Sequence, residues 1–270
     1  SQSCAMTTEI ELKYQIPAEP AERLAGVREH LARLGPLAVL PLQARYLDTP
    51  ERSLGAKGLA WRLRREGGPW VQTLKGRGDD VMTRLEHNVE LDASALEGPD
   101  QEPVPKVERH AGTPAGEALM RALAAAPEQA LTVRFTTDIQ RTWVRVQHGG
   151  ALIELALDEG SIAAAGHHLA VCELEFELIE GRAADMLAFV RPWIAAHGLW
   201  LDVRSKAERG DRLARAQLGA GPVATGDGLA ARLRNAAETA EFGEPAQAAL
   251  ARSSAVQEAF LDELALAQRT

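Results

Sequence analysis

Charged and apolar side chains alternate along short strand-like segments of the chain, and this pattern restricts the folds that the sequence can adopt. In the first segment, residues 7–17, apolar residues fill every second position, and the positions between them hold Glu9, Glu11 and Lys13. Because successive side chains of a strand point to opposite faces of a sheet, one whole face of this strand is charged. The sequence therefore predicts a sheet whose other, apolar face needs a cover.

About eight segments show this alternation, and turn residues separate them. They occupy residues 7–17, 43–49, 58–67, 69–77, 83–91, 131–147, 151–160 and 168–181. Apolar residues at helical spacing predict helices at residues 18–35, 114–127, 182–198 and 202–218. The sequence thus predicts an α+β protein. Its core is an eight-stranded antiparallel β-barrel, or tunnel, with a charged interior and flanking helices over the apolar outer wall.

Acidic side chains are crowded on the charged faces of three of these strands, where a solvated face would usually mix the two signs. The acidic residues are Glu9, Glu11, Asp158, Glu173 and Glu175. Hard divalent cations prefer oxygen ligands, so an all-carboxylate set favours Mg²⁺ or Mn²⁺ over zinc. The sequence therefore predicts a divalent-metal site in the interior.

Basic side chains gather on the remaining strand faces and predict a site for an anion. They are Arg62, Arg64, Lys75, Arg84 and Arg141. For any one strand, a solvated outer face is the simpler interpretation. Taken together, an acidic patch and a basic patch inside one tunnel would suit a multiply charged polyphosphate chelated by metal.

Composition excludes several other classes of protein. The formal net charge of −8 argues against a general nucleic-acid binder, because phosphate backbones are held by surplus basic residues. No apolar run approaches the roughly 20 residues that span a bilayer, so no membrane segment is expected. Only Cys4 and Cys172 are present, which fits a reducing compartment and a cytoplasmic location. Residues 1–5 lack the features of a signal peptide and are interpreted as a cloning remnant before Met6.

Nine sequence blocks, in order, resemble one known family. The first is EIELK at residues 9–13, an ExExK motif. The others are YLDTP from Tyr46, LAWRLRREG from Leu59, the segment around Lys75, TRLEHN from Thr83, TTDIQR from Thr136, IELALDEG from Ile153, CELEFELIEG from Cys172 and SKAERG from Ser205. From residue 6 to about residue 218, the chain resembles the CYTH domain family, also called the triphosphate tunnel metalloenzymes.

The resemblance is strongest to the bacterial inorganic triphosphatases, in which a CYTH domain is followed by a helical CHAD domain. It implies hydrolysis of inorganic triphosphate (tripolyphosphate) to pyrophosphate and phosphate, with Mg²⁺ or Mn²⁺ and the use of two metal ions. The metal ligands that it implies are Glu9, Glu11, Asp158, Glu173 and Glu175. The catalytic residues that it implies are Glu9, Glu11, Lys13, Glu173 and Glu175.

The same resemblance implies a set of residues that bind the phosphates. They are Lys13, Arg62, Arg64, Lys75, Arg84, Arg141, Lys206 and Arg209. Lys206 and Arg209 belong to the last predicted helix, which would close over the mouth of the tunnel. Glu86 and Glu154 would also face inward, in contact with metal or as partners that orient the basic residues.

Three classes of function are compatible with these residues. The first is a triphosphatase, which could also act on thiamine triphosphate or a nucleoside triphosphate. The second is a class IV adenylate cyclase, which would share the tunnel. The third is a non-catalytic polyphosphate-binding module. The expected partner is a small-molecule triphosphate, and the sequence gives no oligomeric state.

The segment after the predicted tunnel domain has a different composition. Residues 219–228 are rich in glycine and predict a linker, and residues 229–270 predict two helices and no strand. This tail lacks the histidines expected of a CHAD domain. It is interpreted either as a short helical cap or as the start of a truncated CHAD-like domain.

Overall fold

A computed structural model describes residues 10–77, 84–96, 101–127 and 130–216, together with residues 231, 233, 234, 237 and 238. The predicted remnant at residues 1–5 and the predicted linker at residues 219–228 lie outside the described residues, as does most of the tail. Within the described part, the chain is mostly antiparallel sheet with four α-helices.

The strands and helices follow the alternation and the helical spacing of the sequence. The strands are β1 (Glu11–Gln15), β2 (Ala38–Asp48), β3 (Ala60–Glu66), β4 (Trp70–Arg77), β5 (Arg84–Glu90), β6 (Thr132–His148), β7 (Ala151–Ala164), β8 (His167–Glu180) and β9 (Trp200–Leu201). The helices are α1 (Glu22–Ala32), α2 (Pro114–Ala124), α3 (Ala183–His197) and α4 (Lys206–Ala216). None of the described helices has the length and apolar character needed to cross a membrane.

All nine strands join one sheet in the order β5-β4-β3-β2-β6-β7-β8-β1-β9. Every neighbouring pair is antiparallel. Eight of these strands were predicted. The ninth, β9, has only two residues and pairs with the end of β1, and so short a strand carries no alternation that sequence could reveal.

The outer face of the sheet is apolar and covered by helices, as the alternation predicts. Helices α1 and α3 cover β1 and β6–β8, where Tyr14 and Phe176 are fully buried. Tail residue Leu233 is buried in the same cluster. Helix α2 covers β3 and β4, where Trp61 and Leu74 pack with Leu119. Removal of this apolar surface from water is the main driving force for the fold.

The inner face is charged at one end and apolar at the other, which differs from a wholly charged interior. The inner apolar patch consists of Phe135, Ile139, Ile162, Ala164 and Val171. These residues continue the same alternate positions of β6, β7 and β8 that carry charges elsewhere. Helix α4 packs on this patch with its own buried side chains, Leu213 and Ala214.

Helix α4 begins later than the pattern at residues 202–218 predicts. The Asp202 carboxylate accepts the backbone N–H of Arg204 and holds a turn there. The Ser205 hydroxyl then accepts the N–H of Glu208 and caps the first turn of the helix. A Cβ atom at Gly210 would lie 2.2 Å from Cδ2 of Phe135, so only glycine lets α4 approach β6 this closely.

Candidate functional site

One row of side chains runs across four neighbouring strands on the inner face. Arg141 of β6 pairs with Asp158 of β7, Asp158 with Glu173 of β8, and Glu173 with Gln15 of β1. Because directly opposed residues of an antiparallel sheet share a face, the register itself brings these groups together. The next row, two residues along, places Glu175 opposite Lys13.

Three carboxylates form a compact group, which we call the acidic cluster. Asp158, Glu173 and Glu175 each offer an oxygen atom within 4.8 Å of the other two. The side chains of Asp158 and Glu173 are fully buried, and that of Glu175 is 12% exposed. Burial of like charges is costly unless cations are paired with them.

Cations of β6 and α4 provide that pairing. Arg141 donates two hydrogen bonds of 2.7 Å to Asp158 and a third to Glu175. Lys206 Nζ lies 2.7 Å from Asp158 and 3.1 Å from Glu175, and it also contacts Glu173. Arg209 Nη1 donates to Glu173 Oε2 at 3.0 Å. The two α4 residues expected at the tunnel mouth therefore lie against the acidic cluster in this structure.

The neighbouring charges set the ionisation of the cluster. Burial alone would raise the pKa of Glu175, but the positive charges of Lys206, Arg141 and Lys13 outweigh it and lower this pKa to about 2. In turn, the carboxylates raise the pKa of Lys206 despite its burial. They raise the pKa of Arg141 in the same way. These groups are therefore charged at neutral pH.

Glu11 lies at the edge of the cluster and differs from its neighbours. Desolvation and the charge of Glu175, to which Glu11 donates a hydrogen bond, raise the pKa of Glu11 to about 7. Lys13 follows on the same face, and its ammonium group donates to the backbone carbonyl of Arg204. Glu9, predicted as the first ligand of this strand, lies outside the described residues.

The predicted basic residues of β3 and β4, which we call the basic set, occupy the other side of the inner face. They are Arg62, Arg64 and Lys75. Arg62 Nη1 donates to the Tyr46 hydroxyl at 3.3 Å, and Arg64 Nη1 donates to Glu66 at 3.0 Å. Within the described part of the chain, the buried Nε atoms of Arg62 and Arg64 have no hydrogen-bond partner.

Three other residues predicted to face the interior lie outside the acidic cluster or have a side chain that the structure does not describe. Arg84 begins β5, but its side chain lies outside what the structure describes. Glu86 lies 3.9 Å from Lys75, with both side chains about half exposed. Glu154 pairs with Arg145 at 3.1 Å, one row beyond the acidic cluster. Neither glutamate approaches the acidic cluster closely enough to belong to it.

The sequence interpretation missed a buried polar group behind the acidic cluster. Gln15 contacts both Glu173 and Asp202, and Asp202 is held by Arg204. Gln15 occupies the next alternate position after Lys13, so the same face count that identified Glu11 would have identified it. Asp202 and Arg204 lie in a turn, where alternation gives no signal.

Comparisons with known proteins identify the family of the chain. Residues 7–210 match the profile of one protein family, the CYTH domain. The chain belongs to the CYTH domain family. This match covers most of the predicted tunnel domain, whereas the boundaries predicted at residues 6 and 218 stay predictions.

One curated relative is an inorganic triphosphatase of Haemophilus influenzae, 29% identical over 207 residues. The alignment covers 76% of this chain and 54% of the relative, so the chain spans about half the length of the curated relative that it matches. The name of this relative describes an action on inorganic triphosphate.

One solved structure shows the same architecture, and a second is reported for its similarity alone. HpAC1 from Hippeastrum, described as a suspected adenylyl cyclase with a dominant triphosphatase activity, aligns with a TM-score of 0.50 and 18% identity. The alignment covers 76% of this chain and 95% of HpAC1. A suspected adenylate cyclase of Bacillus halodurans aligns over 74% of this chain and 96% of its own, with 19% identity and a TM-score of 0.43. The likeness to HpAC1 confirms the predicted antiparallel tunnel fold of the CYTH domain.

Proposed function

We propose that this CYTH domain hydrolyses inorganic triphosphate to pyrophosphate and phosphate with a divalent metal ion. The observation that carries the proposal is the acidic cluster, three carboxylates within 4.8 Å of one another on the inner face. The same face of the sheet carries arginines whose buried Nε donors have no partner among the described residues. The two sets together match a substrate that is both polyanionic and metal-chelated.

The donor set fits Mg²⁺ or Mn²⁺, because all its ligand atoms are carboxylate oxygens. Asp158, Glu173 and Glu175 would hold the metal, with Glu9 and Glu11 of the first strand beside them. When bound, one or two such ions would neutralise phosphate charge and activate the attacking water. Lys206 contacts all three carboxylates, so we propose that its ammonium group moves to the phosphates when metal binds.

The basic residues would hold and orient the phosphate chain. Arg62 and Arg64 present N–H donors toward the interior, and the guanidinium fork matches the geometry of phosphate oxygens. Arg141, Lys13, Lys75 and Arg84 would add positive charge along the chain, with Lys206 and Arg209 from α4. Positioning and charge stabilisation of this kind supply most of the catalysis in phosphoryl transfer.

A cavity at the end of the inner face favours a second candidate, an organic triphosphate such as a nucleoside or thiamine triphosphate. The cavity measures about 250 Å³ and is lined by Tyr46, Phe135 and residues of α4. The rings of Tyr46 and Phe135 stack at a centroid distance of 4.4 Å. Arg62 bonds to the Tyr46 hydroxyl, so a phosphate on Arg62 would place an attached ring near this cavity.

A comparison of substrates tests the proposal directly. Phosphate release would be measured with tripolyphosphate, ATP and thiamine triphosphate, each with Mg²⁺, with Mn²⁺ and with EDTA, beside an assay for cyclic AMP. We expect release from tripolyphosphate that EDTA abolishes. Faster release from an organic triphosphate would favour the second candidate, and cyclic AMP formation would favour a cyclase. Binding of tripolyphosphate without any product would leave the non-catalytic binding module.

A further inference from the structure

We propose that Gln15 is a positioning residue that aims Glu173 at the metal, an inference that rests on the proposed function. Gln15 is 8% exposed and lies opposite Glu173 across β1 and β8. Its Nε2 atom donates to Glu173 Oε2 at 2.9 Å and to Asp202 Oδ2 at 3.0 Å. One side-chain amide thus joins a carboxylate of the acidic cluster to a carboxylate outside it.

The chemistry of the two partners explains why the residue is glutamine. Both contacts are carboxylate oxygens, which only accept hydrogen bonds, so the bridging group must donate twice. The NH₂ group of glutamine donates twice without adding charge. Glutamate at this position would place a third acid between Glu173 and Asp202, and leucine would leave both oxygens without this donor.

Asp202 is a fixed anchor for this bridge. Its carboxylate accepts the backbone N–H of Arg204 at 2.9 Å and two guanidinium N–H groups of Arg204 at 3.0 and 2.8 Å. Its own backbone N–H donates to the carbonyl of Lys13 at 2.8 Å. Both residues are almost fully buried, with 1% of Asp202 and 5% of Arg204 exposed. The anchor is therefore held by contacts that do not involve the acidic cluster.

The bridge determines which oxygen of Glu173 faces the cluster. Oε2 receives donors from Gln15 and from Arg209 Nη1. Oε1 points the other way and contacts the ammonium group of Lys206. With Oε2 held in place, Oε1 is the atom presented to the metal that Asp158 and Glu175 would share. Partners of this kind, behind a ligand, change metal affinity by about 10- to 100-fold when removed.

The experiment compares Gln15→Leu with Gln72→Leu. Gln72 is also buried and also bonded through its amide, but it lies on β4 beside the backbone of Lys106, away from the cluster. Both variants should lose stability. Only Gln15→Leu should weaken the binding of Mn²⁺ alone, measured by electron paramagnetic resonance without substrate, by about 10-fold. In the tripolyphosphate assay, its half-saturating Mn²⁺ concentration should rise by the same factor while kcat at saturating Mn²⁺ changes less.

A second variant acts on the other end of the bridge. Asp202→Asn should weaken Mn²⁺ binding in the same direction. The double variant should show less than the sum of the two single effects, because both changes break one chain of contacts. This variant also decides the matter if Gln15→Leu fails to fold.

Each remaining outcome has a definite meaning. Wild-type Mn²⁺ affinity in folded Gln15→Leu, or equal weakening in Gln72→Leu, would overturn the positioning role while the proposed function stands. A wild-type chain that binds Mn²⁺ but releases no phosphate would overturn the proposed hydrolysis. The Mn²⁺ affinities of the variants would then still decide the positioning role of Gln15. A wild-type chain that binds no Mn²⁺ would overturn both.

Discussion

The acidic cluster and the basic set lie on the same face of one sheet, yet the protein holds them in opposite ways. The carboxylates of Asp158 and Glu173 are fully buried. Arg141 of β6 and Lys206 of α4 contact Asp158, and two cations of α4, Lys206 and Arg209, contact Glu173. The side chains of Arg64 and Lys75 are 31% and 50% exposed, and the buried donor Nε of Arg64 has no partner among the described residues.

This difference separates two kinds of contribution to one site. The acidic cluster is built into the folded core, so a change there should affect both stability and chemistry. The basic set is partly exposed, and two of its buried donors, Nε of Arg62 and Nε of Arg64, have no partner among the described residues. Under the proposed function, a change there should therefore affect mainly affinity. The following predictions test this division, from the largest expected effect to the smallest.

Glu173→Gln should produce the largest loss. It removes one charge from the acidic cluster and leaves Arg209 and Lys206 with less compensation, which should lower the free energy of unfolding by about 3–5 kcal/mol. Turnover of tripolyphosphate should fall by about 10³-fold, as when one preorganised charge-stabilising group is lost. Urea unfolding and phosphate release at saturating Mn²⁺ measure the two effects.

The matched control is Glu180→Gln, which changes an exposed glutamate at the end of the same strand, β8. It should change the free energy of unfolding by no more than about 0.5 kcal/mol and leave turnover at the wild-type rate. Normal turnover in Glu173→Gln would show that the acidic cluster does not take part in the chemistry.

Acid should destabilise the half of the molecule that carries the basic set. Behind β3, the buried His110 accepts hydrogen bonds at Nε2 from Trp61 and Gln72, at 3.0 and 2.8 Å. Burial, together with the nearby His87 and Arg109, lowers the pKa of His110 to about 4. The folded state thus resists protonation, whereas the unfolded chain takes up a proton near pH 6.5. This contribution is fully present above pH 6.5 and is lost as the pH falls toward 4.

The loss should amount to roughly 3 kcal/mol between pH 6.5 and 4, at 1.36 kcal/mol for each pH unit. Unfolding free energies measured from pH 7.5 to 4.5 would show it, and His110→Gln should reduce the slope. His148→Gln, at the exposed end of β6, is the control and should keep the wild-type slope. Equal slopes in all three proteins would contradict the role of His110.

Arg64→Ala should affect binding without loss of the fold. Removal of one charged donor should raise KM for tripolyphosphate about 10-fold and change kcat less than about threefold. Stability should stay near the wild-type value, because the side chain is partly exposed. The control in the same steady-state assay is Arg65→Ala, which changes an exposed residue one position along β3, on the other face of the strand. A fall in kcat with an unchanged KM would place Arg64 with the catalytic groups instead.

Glu86→Gln should have the smallest effect. It tests whether Glu86 contacts the metal or orients the basic residues, two roles that the sequence leaves open. Glu86 accepts a hydrogen bond from Asn88, which lowers its pKa, and it forms an exposed ion pair with Lys75. Exposed pairs of this kind contribute at most about 1 kcal/mol. We therefore expect unchanged Mn²⁺ affinity and at most about a threefold change in KM. Weakened Mn²⁺ binding, measured by titration, would instead make Glu86 a metal contact.

Alternation along the strands was sufficient to predict the sheet and the three residues of the acidic cluster. Asp158 and Glu173 stand in different strands, yet each occupies an inward position that follows from counting alternate residues. Their direct pairing across β7 and β8 depends on register, which the short turns between neighbouring strands help to fix. The apolar outer wall could be predicted for the same reason, because the residues between the charged positions of each strand are apolar.

The position of α4 could not be predicted in the same way. Its helical spacing is visible, but Lys206 and Arg209 contact strands that lie more than 30 residues away in sequence. Such contacts depend on how closely the helix packs against the inner face of the sheet. One local clue existed, because Ile162 and Val171 replace charges at inward positions and therefore call for an apolar partner inside the tunnel.

Gly210 shows how the distance between α4 and the sheet is fixed. The close approach of α4 to Phe135 leaves no space for a side chain at this position. Lys206 lies one turn earlier on the same face of the helix, so any outward displacement of the helix at Gly210 would move its ammonium group with it. The alignment of opposite charges in the interior is therefore decided by a purely steric fit between an aromatic ring and bare backbone, at a point that carries no charge at all.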